Sequence, residues 1–297
     1  MGLSVSEAFG DLYVQFTLSY VLVRSMMIFM YARVYTAHPQ SRTISVRFMI
    51  GFAGGIAIWL AAILLPAEYH WIAWLVAILF EIVFFSLPAM VEGVRSWTPD
   101  IHHMMERYGI FTIIVLGEAF VKVLDDAQGT VLGIEQILFG IAGLGLLYGM
   151  WWLYFTDTAE KEPERDADTK ILGWSYGHLF LAVSLVAFGV SAKKLFSQTI
   201  KYASDPITEE YRLLLTAAVV IFLLALAIIS YGIDNKLLPH NQTTNALLYL
   251  GAAVLIGAIG WLVTTVTVTL FTTILALIMA GLVGFNIYQA ASAPAHH

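Results

Sequence analysis

The chain has 297 residues, of which 59% are hydrophobic and 12% are charged, whereas soluble domains average roughly 45–50% and about 25%. This composition excludes an ordinary soluble domain and indicates a protein whose main partner is the lipid bilayer. The net charge of −6 without a Lys/Arg cluster excludes a nucleic-acid partner, and the absence of cysteine excludes disulfides and thiolate sites.

Nine apolar segments are long enough, or nearly so, to cross the hydrocarbon core, which takes about 20 helical residues. They lie at about 11–33, 46–66, 70–91, 105–124, 130–155, 171–195, 211–232, 245–263 and 266–289. Their apolar runs are continuous, which favours helices over the alternating strands of a barrel. We therefore predict an all-α, polytopic transmembrane bundle of about nine helices. The boundary between the last two, at Val263 to Thr265, is the least marked.

The chain is expected to form a single integral membrane domain over residues 1–297. A charged loop at 156–170, with acids and bases alternating around Pro163, would join two helical sub-bundles at 11–155 and 171–289. Mixed charge of this kind is typical of a solvated linker, with docking to a partner as the alternative. The last residues, 290–297, are small and are expected to be a disordered tail.

Basic residues in the loops predict the orientation. Nine lie on the side that receives the loops at 33–47, 92–108, 156–170 and 233–244, and five lie on the other side. Since cytoplasmic loops are enriched in Lys and Arg, we expect an external N-terminus and a cytoplasmic C-terminus in a bacterial plasma membrane.

Three pairs of glycines are spaced four residues apart, at Gly51/Gly55, Gly145/Gly149 and Gly173/Gly177. Such pairs let helix backbones approach closely in lipid. Packing within one chain is the favoured interpretation, and an oligomer interface is the alternative.

The stretch from His102 to Glu118 combines two histidines, an acid/base pair and an apolar run that ends in a carboxylate. On a helix, His102 and His103 lie four and three residues before Glu106, so one imidazole would lie beside the carboxylate. The cluster would be an interfacial hydrogen-bonded group, a proton relay, or two ligands of a metal ion whose other ligands come from His178 or Asp157.

Ionisable residues inside spans cost roughly 2.5–3.5 kcal/mol and usually mark a site or a pathway. The candidates for transport or proton relay are Glu118, His178, Glu106, Asp157, Arg24 and Glu81. Glu118 precedes Lys122 by one helical turn, so it is either neutralised by that lysine or acts as a proton carrier. His178 is a satisfied interhelical group or a relay. Arg24 is expected to pair with Glu81 or another carboxylate.

Three stretches carry a family resemblance: Glu106 to Glu118 (ERYGIFTIIVLGE), Trp151 to Asp157 (WWLYFTD) and Tyr176 to Leu179 (YGHL). In this order and spacing they resemble the bacterial low-temperature-requirement A (LtrA) family. The resemblance implies a polytopic plasma-membrane protein associated with growth at low temperature. Family members usually open with an acidic, aromatic helix that this chain lacks, so a short form, a fragment or half of a split arrangement is expected.

Three functions are consistent with these residues. The first is movement of a small solute or ion, coupled to protons through Glu118 with Glu106, Asp157 and His178 in support. The second is an enzyme acting on a lipid through the His102/His103/Glu106 cluster, and the third is a non-catalytic sensor or assembly factor for low-temperature growth. No nucleotide-binding, nucleophile-elbow or zincin motif is present, which disfavours the enzyme. No catalytic residue and no cofactor is assigned.

Overall fold

The computed structural model describes residues 12–96, 100–127, 132–159, 161–164, 168–202, 205–233 and 242–292. These residues form ten α-helices and two short 3₁₀ turns. The helices are α1 (Tyr13–Ala37), α2 (Arg42–Ala62), α3 (His70–Phe85), α4 (Pro88–Ser96), α5 (Ile101–Ala127), α6 (Ile134–Asp157), α7 (Asp168–Lys201), α8 (Glu209–Gly232), α9 (Gln242–Leu262) and α10 (Val268–Ser292). The predicted all-α, polytopic fold is confirmed.

Each of the nine predicted segments falls on a helix, but not all of the helices have the length and composition of a span. Among the described residues, seven do: α1, α2, α6, α7, α8, α9 and α10. The third predicted segment, 70–91, is divided between α3, which has only 16 residues, and α4. The fourth lies on α5, which carries charged residues along its 27-residue length. The predicted number of about nine is therefore approximate.

The weakly marked boundary between α9 and α10 is present. Ile207 donates its N–H to the Val266 carbonyl at 2.8 Å, and Arg212 donates to the Val263 carbonyl at 2.9 Å. Thr267 caps α10 by accepting the Leu270 N–H at 3.3 Å, the usual role of threonine at a helix start. The stretch from Val263 to Thr267 thus forms a turn that hydrogen bonds fix in place, and α9 does not continue into α10.

The chain divides into two compact units, Met1–Asp100 and Ile101–His297. In the first, α2 packs against α1, α3 and α4. Its core is aromatic, with Trp59 stacked on Tyr20 at 4.0 Å between ring centroids and on Trp74 at 5.5 Å. Aromatic rings supply much of the contact area in so small a core.

In the second unit, α7 packs against α5 and α8, α8 packs against α9, and α6 packs against α10. Large buried side chains such as Trp174, Phe222, Phe271 and Met150 fill its core. Helices from both sides of the charged loop therefore share one core. The predicted sub-bundles at 11–155 and 171–289 stay a prediction, and residues 293–297 of the expected tail lie outside the described residues.

The glycine pairs serve packing within the chain, as predicted. A Cβ added to Gly55 would lie 2.3 Å from Glu81 Oε1 of α3, one added to Gly149 would lie 2.3 Å from Met279 of α10, and one added to Gly177 would lie 2.4 Å from Ile229 of α8. These distances are far below van der Waals contact, so each glycine permits a close helix approach.

The first part of the charged loop is packed, which differs from the expected solvated linker. Thr158, Ala159 and Pro163 are buried, and Glu164 donates its N–H to the Gly232 carbonyl at 2.8 Å. The Glu164 carboxylate pairs with Lys170 at the start of α7. The alternating charges did not predict this packing. The charged side chains of this part of the loop pair with ionisable residues of the same unit, while the uncharged residues between them are buried.

Candidate functional site

Asp157, the last residue of α6, is a buried carboxylate that is only 3% exposed. The Tyr249 hydroxyl of α9 donates to its Oδ2, and the Asn286 Nδ2 of α10 donates to its Oδ1 at 2.6 Å. Two neutral donors from two further helices therefore bind the two oxygens of one carboxylate. Hydrogen bonds to a charged group contribute about 1.5–3 kcal/mol each, so these two donors fix the carboxylate between α6, α9 and α10.

A lysine stands beside this carboxylate without forming a hydrogen bond to it. Lys161 Nζ lies 3.8 Å from Asp157 Oδ1, and the Lys161 side chain is 21% exposed whereas that of Asp157 is 5% exposed. Burial lowers the pKa of the Lys161 ammonium below its ordinary value of 10.5, and the Asp157 carboxylate partly offsets this effect. We call Asp157, Lys161, Tyr249 and Asn286 the Asp157 site.

Helix packing positions the site. A Cβ on Gly145 would lie 3.9 Å from Ala276 and one on Gly149 would meet Met279. Further along, Asp157 contacts Asn286. Residue numbers thus increase in the same direction on α6 and α10 from one contact to the next, so the two helices run parallel. After Asp157, the Thr158 hydroxyl donates to the Tyr154 carbonyl at 2.6 Å and the Lys161 N–H to the Thr158 carbonyl at 3.2 Å. This turn brings Lys161 back towards Asp157.

His178 of α7 lies in an aromatic cluster next to the site. Its ring stacks on that of Tyr108, with 4.2 Å between the ring centroids. It also makes T-shaped contacts with the rings of Trp174 and Tyr154, at centroid distances of 4.8 Å and 5.8 Å. Its Nδ1 lies 2.7 Å from the Trp174 carbonyl, and since a carbonyl only accepts, Nδ1 is the donor in this contact. Tyr154 precedes Asp157 by three residues on α6, and the two predicted residues thus lie in adjoining clusters.

The first unit contains a different charged pair. Arg24 of α1 pairs with the buried Glu81 of α3, as the sequence predicted. Its Nε and Nη2 also donate to the Tyr20 hydroxyl at 3.0 and 2.6 Å, and the guanidinium lies 5.3 Å from the Phe52 ring centroid. Gly55 leaves the space that the Glu81 carboxylate occupies.

The two carboxylates of α5 are placed differently. Glu106 and Glu118 are both exposed, and Glu106 lies 3.8 Å from His103 Nδ1. The side chain of Lys122, the expected partner of Glu118, lies outside the described residues. Within the second unit, Glu118 thus lies on an exposed surface, whereas Asp157 and His178 lie inside.

The histidines considered for a metal ion contact carboxylates in pairs. His102 Nε2 lies 3.3 Å from Glu162 Oε1, and His103 lies near Glu106. In the described part of the chain, no group of three or more His, Cys, Asp or Glu side chains is placed to hold a metal ion. Neither His178 nor Asp157 joins the two histidines as a further ligand.

Comparison with known families agrees with the motifs. The family model of the bacterial low temperature requirement A protein (LtrA) matches residues 1–282. The chain belongs to the LtrA family. No curated protein and no solved structure matches it.

Two of the three stretches that carry the LtrA resemblance contain a candidate residue, Asp157 or His178, that is buried in the second unit. The stretch from Trp151 to Asp157 closes α6 on the carboxylate of the site, and the stretch from Tyr176 to Leu179 carries His178 on α7. The motif from Glu106 to Glu118 forms most of α5 and supplies Tyr108, which stacks on His178. The family motifs therefore line adjoining clusters in this LtrA chain.

Sequence reasoning missed three members of the Asp157 site: Lys161, Tyr249 and Asn286. A signal existed for the last two, because polar side chains inside apolar spans commonly form interhelical hydrogen bonds. The candidates predicted from the sequence are residues that can carry a charge near neutral pH, which Tyr249 and Asn286 do not. Lys161 lies in a mixed-charge loop, where nothing distinguishes it from its neighbours.

Proposed function

We propose that this LtrA-family protein is a proton-linked transporter or channel for a small solute or ion, and that Asp157 takes up and releases the proton. The observation that carries the proposal is a buried carboxylate with a lysine ammonium 3.8 Å from it, on the loop that follows α6. Intramembrane carboxylates of this kind commonly mark a proton or ion pathway. In this proposal Asp157 takes the central role that the sequence suggested for Glu118.

Protonation at Asp157 has a structural consequence. The ionised carboxylate attracts the Lys161 ammonium across 3.8 Å, and a proton on either oxygen removes that attraction. Asp157 ends α6, and its partners Tyr249 and Asn286 come from α9 and α10. Protonation of the carboxylate would therefore alter contacts among these three helices. Proton uptake is thereby linked to the position of the loop that follows α6. His178, in the adjoining aromatic cluster, is the candidate for passing protons onward.

We place the protein in the bacterial plasma membrane with its C-terminus in the cytoplasm. Support comes from the excess of basic residues in the loops of one side, which is typical of cytoplasmic loops. The Asp157 site lies at the end of α6, next to the loop at 158–164, and therefore faces the cytoplasmic side in this orientation.

Proton flux in liposomes tests the proposal. The purified chain is reconstituted with a pH-sensitive dye inside, a potassium diffusion potential is imposed with valinomycin, and proton entry is followed with and without pools of small cationic, anionic and neutral solutes. We expect entry above that of protein-free liposomes, lost in Asp157→Asn. Glu164→Gln is the matched control, because this carboxylate pairs with Lys170 in the same loop but lies outside the site.

The alternative outcomes are decisive. Flux lost in Glu118→Gln but retained in Asp157→Asn would move the proton carrier to α5 and contradict the assignment. Wild-type flux equal to that of protein-free liposomes under every solute pool would contradict transport and favour a sensor or assembly factor. The exposed His102 and His103 pairs offer no enclosed site for lipid chemistry, so no observation favours the enzyme.

A further inference from the structure

We propose that the solute bound at the Asp157 site is a small primary ammonium ion, and that the Lys161 ammonium is a built-in competitor for the same carboxylate. This inference rests on the proposed function and names its substrate class. It starts from the fact that an ammonium group already stands 3.8 Å from Asp157 Oδ1, which shows the kind of charge that the site attracts.

The acceptors around Asp157 match what an ammonium ion requires. A primary ammonium has three N–H donors and no acceptor. Asn286 uses its Nδ2 on Asp157, while its Oδ1 is buried and has no hydrogen-bond partner among the described residues. This amide oxygen is held near the carboxylate by the geometry of its own side chain. A buried acceptor without a donor costs free energy, and a bound ammonium would satisfy it.

The carboxylate also has acceptor capacity to spare. Each ionised oxygen can accept about two hydrogen bonds, and each Asp157 oxygen receives one from a neutral side chain in the structure. The Tyr249 hydroxyl donates to Asp157 and keeps an oxygen lone pair. Asp157, Asn286 and Tyr249 thus supply acceptors for the three donors of one ammonium ion.

Lys161 does not complete this arrangement. A distance of 3.8 Å is too long for a hydrogen bond, so the lysine neutralises the carboxylate without satisfying the acceptors. It is attached to the loop and remains partly exposed, so its four-carbon stem can withdraw towards water. A ligand that donates directly replaces a long-range contact by hydrogen bonds, which favours exchange.

Enclosure limits the size of the ligand. Asp157, Tyr249 and Asn286 are all at least nine-tenths buried, so the site favours a small head group. A quaternary ammonium of similar charge has no N–H donor, whereas an alkali ion can be coordinated by the same oxygens. The site should therefore distinguish methylammonium from tetramethylammonium, and potassium is the competing cation that the titration must compare.

Calorimetric titration of methylammonium into the detergent-purified full chain tests the inference. Removing the competitor in Lys161→Met should tighten binding by about tenfold, equivalent to about 1.4 kcal/mol. Lys161→Gln, which keeps a polar side chain, should tighten it as well. Lys194→Met, at an exposed lysine of α7, is the matched control and should leave the affinity unchanged. Asp157→Asn should abolish binding with or without Lys161.

Several results would overturn the inference. They are equal affinity in Lys161→Met, Lys161→Gln and the wild type, equal binding of potassium or tetramethylammonium, and no binding of methylammonium to any variant. Proton flux that still depends on Asp157 would then leave the proposed function standing. Conversely, tighter binding in Lys161→Met without proton flux in liposomes would retain the ammonium site and reject transport.

Discussion

Among the described residues, each unit of the molecule holds one buried carboxylate near a cation, and the two arrangements differ in how the cation is attached. In the first unit Arg24 and Glu81 lie on two helices, bind directly and share Tyr20. In the second, the neutral donors Tyr249 and Asn286 bind Asp157. Lys161, on the loop after α6, lies 3.8 Å from the carboxylate and makes no hydrogen bond to it.

This difference separates a fixed ion pair from an exchangeable one. Arg24 cannot leave Glu81 without giving up its direct hydrogen bonds to Glu81 and Tyr20. Lys161 makes no hydrogen bond to Asp157 at 3.8 Å, and two neutral donors still bind that carboxylate when the lysine leaves. We therefore expect loss of the cation to be costly in the first unit and nearly neutral in the second. The following changes test the comparison, from the largest expected effect to the smallest.

Arg24→Met should destabilise the first unit most, by about 3 kcal/mol, because removing one partner of a buried pair leaves the other uncompensated. The double variant Arg24→Met with Glu81→Met should recover most of this loss, since both charges are gone. Unfolding of the detergent-solubilised protein measures both. A double variant as unstable as the single one would show that the pair is not a coupled unit.

Gly55→Ala should cost about 2 kcal/mol, within the range for overpacked cores. The new Cβ would lie 2.3 Å from Glu81 Oε1 and 3.1 Å from its Cδ and Cγ, so the carboxylate must shift from the position in which it binds Arg24. Gly117→Ala is the control, because no atom lies within 4 Å of its added Cβ. Equal unfolding midpoints for the two variants would contradict the close approach of α2 and α3.

Tyr249→Phe should cost about 1.5 kcal/mol, because it removes a hydrogen bond to a buried charged group. Tyr288→Phe removes the hydroxyl of an exposed tyrosine of α10 and should cost little. The two variants delete the same atom from two tyrosines of one unit, one buried and one exposed. Similar unfolding midpoints would show that the Tyr249 hydroxyl does not stabilise Asp157.

The comparison also shows how far the sequence could predict the structure. The helices follow from their long apolar runs, and the pairing of Arg24 with Glu81 follows from the cost of leaving either charge alone in an apolar span. Both depend on properties of single segments or single residues. They were therefore accessible without knowing which helices are neighbours.

The Asp157 site was accessible only in part. Asp157 and His178 were candidates because each is ionisable, but Tyr249 lies 92 residues beyond Asp157 in the chain and Asn286 lies 129 residues beyond it. Their meeting depends on α6 running parallel to α10, which one sequence does not specify. The sequence favours Glu118 as the proton carrier, yet this residue lies on an exposed face of α5.

The smallest expected effect is a pH dependence of stability due to Lys161. It would show directly that burial disfavours the charged form of this lysine in the folded protein. Burial lowers its pKa in the folded protein below the ordinary 10.5, so between these two values the unfolded chain binds more protons and the free energy of unfolding rises with pH. Lys161→Met should lack this rise. Asp157→Asn should extend it to lower pH, because the carboxylate is what partly restores the lysine pKa. Competitive acetylation followed by mass spectrometry gives the Lys161 pKa in each variant. A value at 10.5 in the wild type, or one raised by Asp157→Asn, would mean that the lysine is not confined beside a buried carboxylate and that the two units do not differ as described.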